Sequence, residues 1–162
     1  MTKAIQDFYS DDVSHCYGCG RLNEHGLQLK TYWDGERSIS RYTPRPYHTA
    51  IPGYVYGGLL ASLIDCHATG TAAAALYDLE GRSYDSEPPL RCLTASLQIE
   101  YLRPTPIGVE LEIQGRIASV EGNRVSVACS ILAGQIETVR GTVVAVGVPP
   151  SYLAKLAARA GQ

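Results

Sequence analysis

Phenylalanine, tryptophan, methionine and charged side chains are scarce in this chain. Its 162 residues include one Phe, one Trp and one Met, and only 19% are charged. Fourteen Lys+Arg stand against sixteen Asp+Glu, a formal net charge of −2, and the charges are scattered rather than blocked. A nucleic-acid face or a polybasic membrane anchor needs concentrated positive charge, so neither partner is expected and any anionic partner must be held by a local site. Cysteine is limited to five, an odd number, with Cys66, Cys92 and Cys129 inside apolar segments. That excludes a full disulfide framework and fits a reducing compartment. The opening MTKAIQDFYSDD lacks a basic stretch followed by an apolar run, so no signal peptide is expected and a cytoplasmic location is. A Gly-x-Ser-x-Gly elbow, a phosphate loop and a dinucleotide fingerprint are all missing, which removes the chemistries they serve. There is no internal repeat, low-complexity tract or linker between domains. One soluble domain is expected, and at this length it buries about 70% of its unfolded surface without staples.

What is present begins with an apolar run at 53–77, GYVYGGLLASLIDCHATGTAAAALY. It is long enough to span a bilayer, yet Asp65 and His67 lie near its middle and much of the rest is Ala, Gly, Ser and Thr. Because the following seventy or so residues carry strand-like alternation, a buried helix of a soluble domain is the simpler reading. The helix is expected from about Gly57 to Tyr77, stopping before Glu80-Gly81-Arg82-Ser83.

Around it lie strands. Segments 27–33 and 37–43 flank the hairpin dipeptide Asp34-Gly35. Pro44, Pro46 and Pro52 keep the next stretch irregular. Leu97, Ile99 and Tyr101 alternate with Ser96, Gln98 and Glu100; Val109, Leu111 and Ile113 with Glu110, Glu112 and Gln114; Val125, Val127, Cys129 and Ile131 continue the pattern, and 138–148 make a final strand. The links, RPTPIG at 103–108, Glu121-Gly122-Asn123 and the Ala133-Gly134 region, are too short for parallel crossovers, so sequential strands are expected as antiparallel neighbours. The expected fold class is α+β: a curved antiparallel sheet of about six strands wrapped around one long central helix, the hotdog architecture. Residues 1–26 read as an N-terminal loop or cap, 27–149 as the domain, and 150–162 as a short C-terminal surface helix.

Asp65 is the only acid in the helix's apolar body, and a carboxylate placed there costs several kcal/mol unless something uses or satisfies it. A general base is one use; a hydrogen-bonded or arginine-paired structural acid is the other. Gly58, Ser62, Asp65, Thr69 and Ala72 follow one another by three- and four-residue steps, giving a stripe of small side chains that a thin ligand or a partner helix could approach closely. Gly57-Gly58 opens the helix, where free N–H groups and the positive dipole end suit a polarised carbonyl oxygen. Gly57 and Asp65 are ~12 Å apart along the axis, too far for one reacting carbon. If both act on one substrate, one of them comes from another subunit.

These residues carry a family resemblance. Pro52-Gly53-Tyr54-Val55-Tyr56-Gly57-Gly58 followed by Leu63-Ile64-Asp65 resembles the "HGG…D" start of the central helix in hotdog-fold thioesterases of the PaaI-like family. Thr94 through Pro106 is similar to the strand that follows it there. Cys16-Tyr17-Gly18-Cys19-Gly20 with Asn23 and Gly26-Leu27 resembles the cap of the branch typified by thioesterase superfamily member four. The resemblance implies Asp65 as general base or nucleophile, the Gly57 amide helped by Gly58 as oxyanion donor from the opposite subunit, and Thr94 as the group that positions water. It implies an acyl-coenzyme A or acyl-carrier substrate, no cofactor, and a homodimer or dimer of dimers. The family's His is Tyr56 here, which can donate a hydrogen bond but is no base near neutral pH. Ala50 stands where some members carry a water-binding Asn.

Tyr56 and His48 are candidate pocket residues, and Arg91, Arg103 and Arg124 candidate contacts for the phosphates of coenzyme A. Cys16 and Cys19 have zinc-like spacing, with His15 and His25 nearby, but no second Cys pair completes four ligands, so no metal is expected. His67 reads as a satisfied core histidine. The rival to the thioesterase is a non-catalytic acyl-CoA or small-ligand binding dimer; a dehydratase would need the His that position 56 lacks.

Overall fold

The computed structural model describes residues 3–160. Six strands, β1 (Tyr32–Trp33), β2 (Arg37–Tyr42), β3 (Arg91–Tyr101), β4 (Leu111–Glu121), β5 (Arg124–Ala133) and β6 (Ile136–Val148), form one antiparallel sheet in the order β1-β2-β4-β5-β6-β3. The long helix α1 (Gly57–Leu79) touches all six strands, and α2 (Pro150–Ala160) follows the last. This is the α+β hotdog arrangement. Single-residue bulges at Ala95 in β3, Ala118 in β4 and Thr138 in β6 break the ladders, and such bulges bend a strand and raise its twist.

The alternation explains the core. Val125, Val127, Cys129 and Ile131 of β5, Leu111 and Ile113 of β4, and Val139, Val143 and Ala145 of β6 are buried against Leu60, Leu63, Ile64, Ala68 and Ala72 of α1. Fifteen of the 23 residues of α1 are buried, so its apolar run is spent inside the domain. Two sheet positions bring the helix especially close: a Cβ at Gly115 would stand 2.6 Å from Ser38 Oγ and 2.8 Å from His67 Nε2, and one at Gly141 would press Ile99 and Ile64.

Two sequence expectations change, and a third is met with an edge left open. Segment 27–33 is strand only at Tyr32–Trp33, because the N–H groups of Leu27 and Leu29 donate to Tyr17 O and Gly18 O, at 2.7 and 2.9 Å, and Gln28 turns at φ 52°. Its backbone is tied to the cysteine loop instead of a neighbouring strand. β3 does not pair with β4 despite the short link between them; it pairs with β6 at the sheet edge, while the link bonds back to the segment before α1 through Val55 N–H to Thr105 O and a Tyr54–Pro106 bridge. A short link forbids a parallel neighbour, but it does not require adjacency. Leu97 and Tyr101 share the helix-side face with Ile99, as the alternation predicts, but at the sheet edge they remain 37% and 55% exposed while Ile99 packs against the core.

Candidate active site

Asp65 sits midway along α1, half-buried, and lines a cavity of about 420 Å³ with Tyr9, Cys16, Cys19, Cys66, Arg91 and Thr94. Its carboxylate accepts a hydrogen bond from the Thr94 hydroxyl. The Ala95 bulge lies immediately after Thr94, where a bulge re-aims the neighbouring side chain. Among the described residues no Lys, Arg or His forms an ion pair with Asp65. The structural alternative of an acid tied off by arginine therefore does not hold, and the carboxylate has a face free for water or substrate.

Arg91 is in the same cavity rather than at an open mouth. It is 7% exposed, stacks its guanidinium 3.5 Å from the Tyr9 ring centroid, and donates through Nη1 to Leu90 O at 2.8 Å. Its Nε and Nη2 find no acceptor among the described residues. Arg103 and Arg124 are exposed and line neither this cavity nor the next.

The helix start forms a second cavity, about 290 Å³, lined by Tyr17, Tyr47, His48, Tyr56, Gly58 and Ser62. The N–H groups of Gly57 and Gly58 open α1, so no preceding turn supplies them with an acceptor, and none is found elsewhere among the described residues. Tyr101 reaches from β3 to donate its hydroxyl to Gly57 O at 2.8 Å. The Tyr56 ring lies over Gly58, where an added Cβ would come within 2.4 Å of it. Burial, followed by the charge of Arg45, lowers the pKa of His48. The structure thus brings Asp65, Thr94 and Arg91 to one cavity and Gly58, Tyr56 and His48 to another, in keeping with the axial spacing.

His67, two residues past Asp65, is fully buried: its Nε2 lies 2.9 Å from Ser38 Oγ and its Nδ1 2.7 Å from Ser40 Oγ. Burial pushes its pKa down to about 3. It is a satisfied core histidine.

Sequence reasoning missed Cys66. Beside Asp65, it closes a sulfur group with Cys16 and Cys19, the three Sγ atoms all within 4.8 Å of one another. Hydrogen bonds from the Cys19 and Cys66 thiols, and from the Cys19 and Gly18 N–H groups, hold the Cys16 thiol far below its ordinary value; donating to Cys16 pushes Cys19 up to about 12. Cys16 and Cys19 are a pair in the sequence, and the fold supplies a third thiol. No spacing signal points to it, since fifty residues separate Cys16 from Cys66.

Comparison with known proteins identifies the family. Acyl-coenzyme A thioesterase THEM4 of Mus musculus is 29% identical over 144 residues, covering 80% of this chain and 56% of that protein. The chain spans 35% to 56% of the length of the curated relatives it matches. A thioesterase superfamily protein from Shewanella loihica PV-4 superposes with a TM-score of 0.65 at 46% identity, covering 87% of this chain and all (100%) of that one. The PaaI protein of the E. coli phenylacetic acid degradation operon shares the fold, with a TM-score of 0.61 at 14% identity over 75% of this chain and 80% of its own. Residues 52–140, which include the helix start, Asp65 and Thr94, match the thioesterase superfamily model, and the chain belongs to that family.

Proposed function

We propose that this protein hydrolyses the thioester bond of an acyl-coenzyme A, or of a similar acyl carrier, to free acid and thiol. The observation that carries the reading is Asp65: a carboxylate on a cavity wall, held by one hydroxyl and neutralised by no cation. Thr94, donating to Asp65, keeps its lone pairs for a water, and the carboxylate takes that water's proton as the oxygen adds to the acyl carbon. The Gly57 N–H, assisted by Gly58, holds the oxyanion. The tetrahedral intermediate collapses by expelling the thiolate, which recovers the proton from Asp65. Direct attack by the carboxylate is the alternative route from the same geometry. Arg91 offers its two unpaired N–H positions to an oxygen of the acyl group.

Because the helix start and Asp65 open into different cavities, the oxyanion donor comes from a second copy of the chain. β3 supports this assembly: it is a sheet edge eleven residues long, with Leu93, Leu97 and Tyr101 exposed, a surface ready to pair. A homodimer, or a dimer of dimers, is the proposed working form. All five cysteines are free, which supports placing the chain in a reducing compartment, the cytoplasm.

One observation favours the non-catalytic binder: the Tyr56 ring covers Gly58, so the helix start is partly shielded from a carbonyl. An acyl-CoA series of short, medium, long-chain and aromatic acids, followed by free-thiol detection beside equilibrium binding, separates the two. Thiol release above background on at least one substrate is expected; binding without release across the whole series makes the protein a binder.

A further inference from the structure

Beside the Asp65–Thr94 pair, the densest group of chemically potent atoms among the described residues is sulfur. Cys16, Cys19 and Cys66 have all three Sγ atoms within 4.8 Å of one another, with Cys16 and Cys66 at 3.7 Å and no disulfide formed. The loop is shaped around them. The Gly20 N–H closes on Cys16 O at 2.8 Å, which turns the chain back between Cys16 and Cys19. A Cβ at Gly18 would fall 2.2 Å from Cys66 Sγ, so only glycine lets the loop settle onto α1.

We propose that Cys16, Cys19 and Cys66 form a three-thiolate site for a soft divalent cation of the zinc class, with its fourth position open to the Asp65 cavity. The ion fastens the N-terminal loop to the helix turn that carries Asp65. Tetrahedral zinc with bonds of ~2.3 Å sets its sulfurs ~3.8 Å apart, the spacing Cys16 and Cys66 already have. An all-sulfur donor set selects soft cations over magnesium or calcium. Each thiol gives its proton to solvent as it binds. Three thiolates and one dication leave one negative charge, and Arg91 on the same cavity wall offsets it.

The full chain, reduced, loaded with Zn(II) and freed of loose metal by gel filtration, should carry about one zinc per chain. Co(II) in its place should give strong near-ultraviolet thiolate-to-cobalt absorption and tetrahedral visible bands. Cys16→Ser and Cys66→Ser should lose the metal, while Cys129→Ser, in the core away from the cluster, should keep it. Replacing buried Cys66 could unfold the chain, so the exposed Cys16 is the deciding position, with circular dichroism recorded alongside. Asp65→Asn should retain zinc whatever its turnover, so this proposal and the thioesterase reading fail separately. Three results each overturn the site: a folded, reduced chain that keeps neither Zn(II) nor Co(II); metal retained by Cys16→Ser; or a Cys16–Cys66 disulfide whose reduction restores no metal binding.

Discussion

Asp65 and His67 stand two positions apart on one helix and meet opposite surroundings. The fold closes over His67 completely, with a serine hydroxyl at each ring nitrogen and Gly115 leaving room for them. It stops short of Asp65, giving the carboxylate one threonine and a cavity. Both are polar groups in an apolar helix, and each answers the cost of burial differently: the histidine by satisfaction and loss of its charge, the acid by keeping a face for a ligand. A titratable group whose bonding is complete serves the scaffold; one left incomplete beside a cavity is available for chemistry.

Substitution should separate the two roles. Asp65→Ala should lower turnover by about a hundredfold or more while leaving the melting temperature nearly unchanged. A drop of only a few-fold would make Asp65 a scaffold residue like its neighbour. His67→Ala should do the reverse. It strands the Ser38 and Ser40 hydroxyls and opens a cavity, costing about 3 kcal/mol in denaturant unfolding with turnover per folded molecule retained.

A titration of stability sharpens the contrast. The pKa of His67 is about 3 in the fold against 6.5 for the free side chain, so between these values the unfolded chain binds a proton that the folded chain does not. Stability contributed by this site is complete above pH 6.5 and falls as pH drops toward 3, by up to about 1.4 kcal/mol per pH unit. His67→Gln should flatten that slope, measured as unfolding free energy against pH; an unchanged slope would assign the acid sensitivity elsewhere. The smallest effect is expected at Thr94→Ala, which removes one hydrogen bond from the carboxylate and should cost about tenfold in turnover, roughly 1.4 kcal/mol. A rate equal to wild type would take Thr94 off the path of the water.

Much of this was legible in one dimension. The run 53–77 announced a buried helix because its apolar residues leave no polar face, and period-2 alternation announced β4 and β5, because successive side chains of a strand point to opposite sides. Asp65 was found as a candidate because a carboxylate stands out in an apolar helix, whereas Thr94 was implied only by the family resemblance.

Tertiary structure alone decided the remainder. Local patterns record which face of an element is apolar but not which element covers it. Hence β3 lies at the sheet edge beside β6, with Leu97 and Tyr101 exposed. Arg91 folds inward onto Tyr9 instead of standing in solvent. Cys66, one residue past the acid, meets two thiols from a loop fifty positions earlier, a meeting made when the chain returns on itself and written in no local spacing.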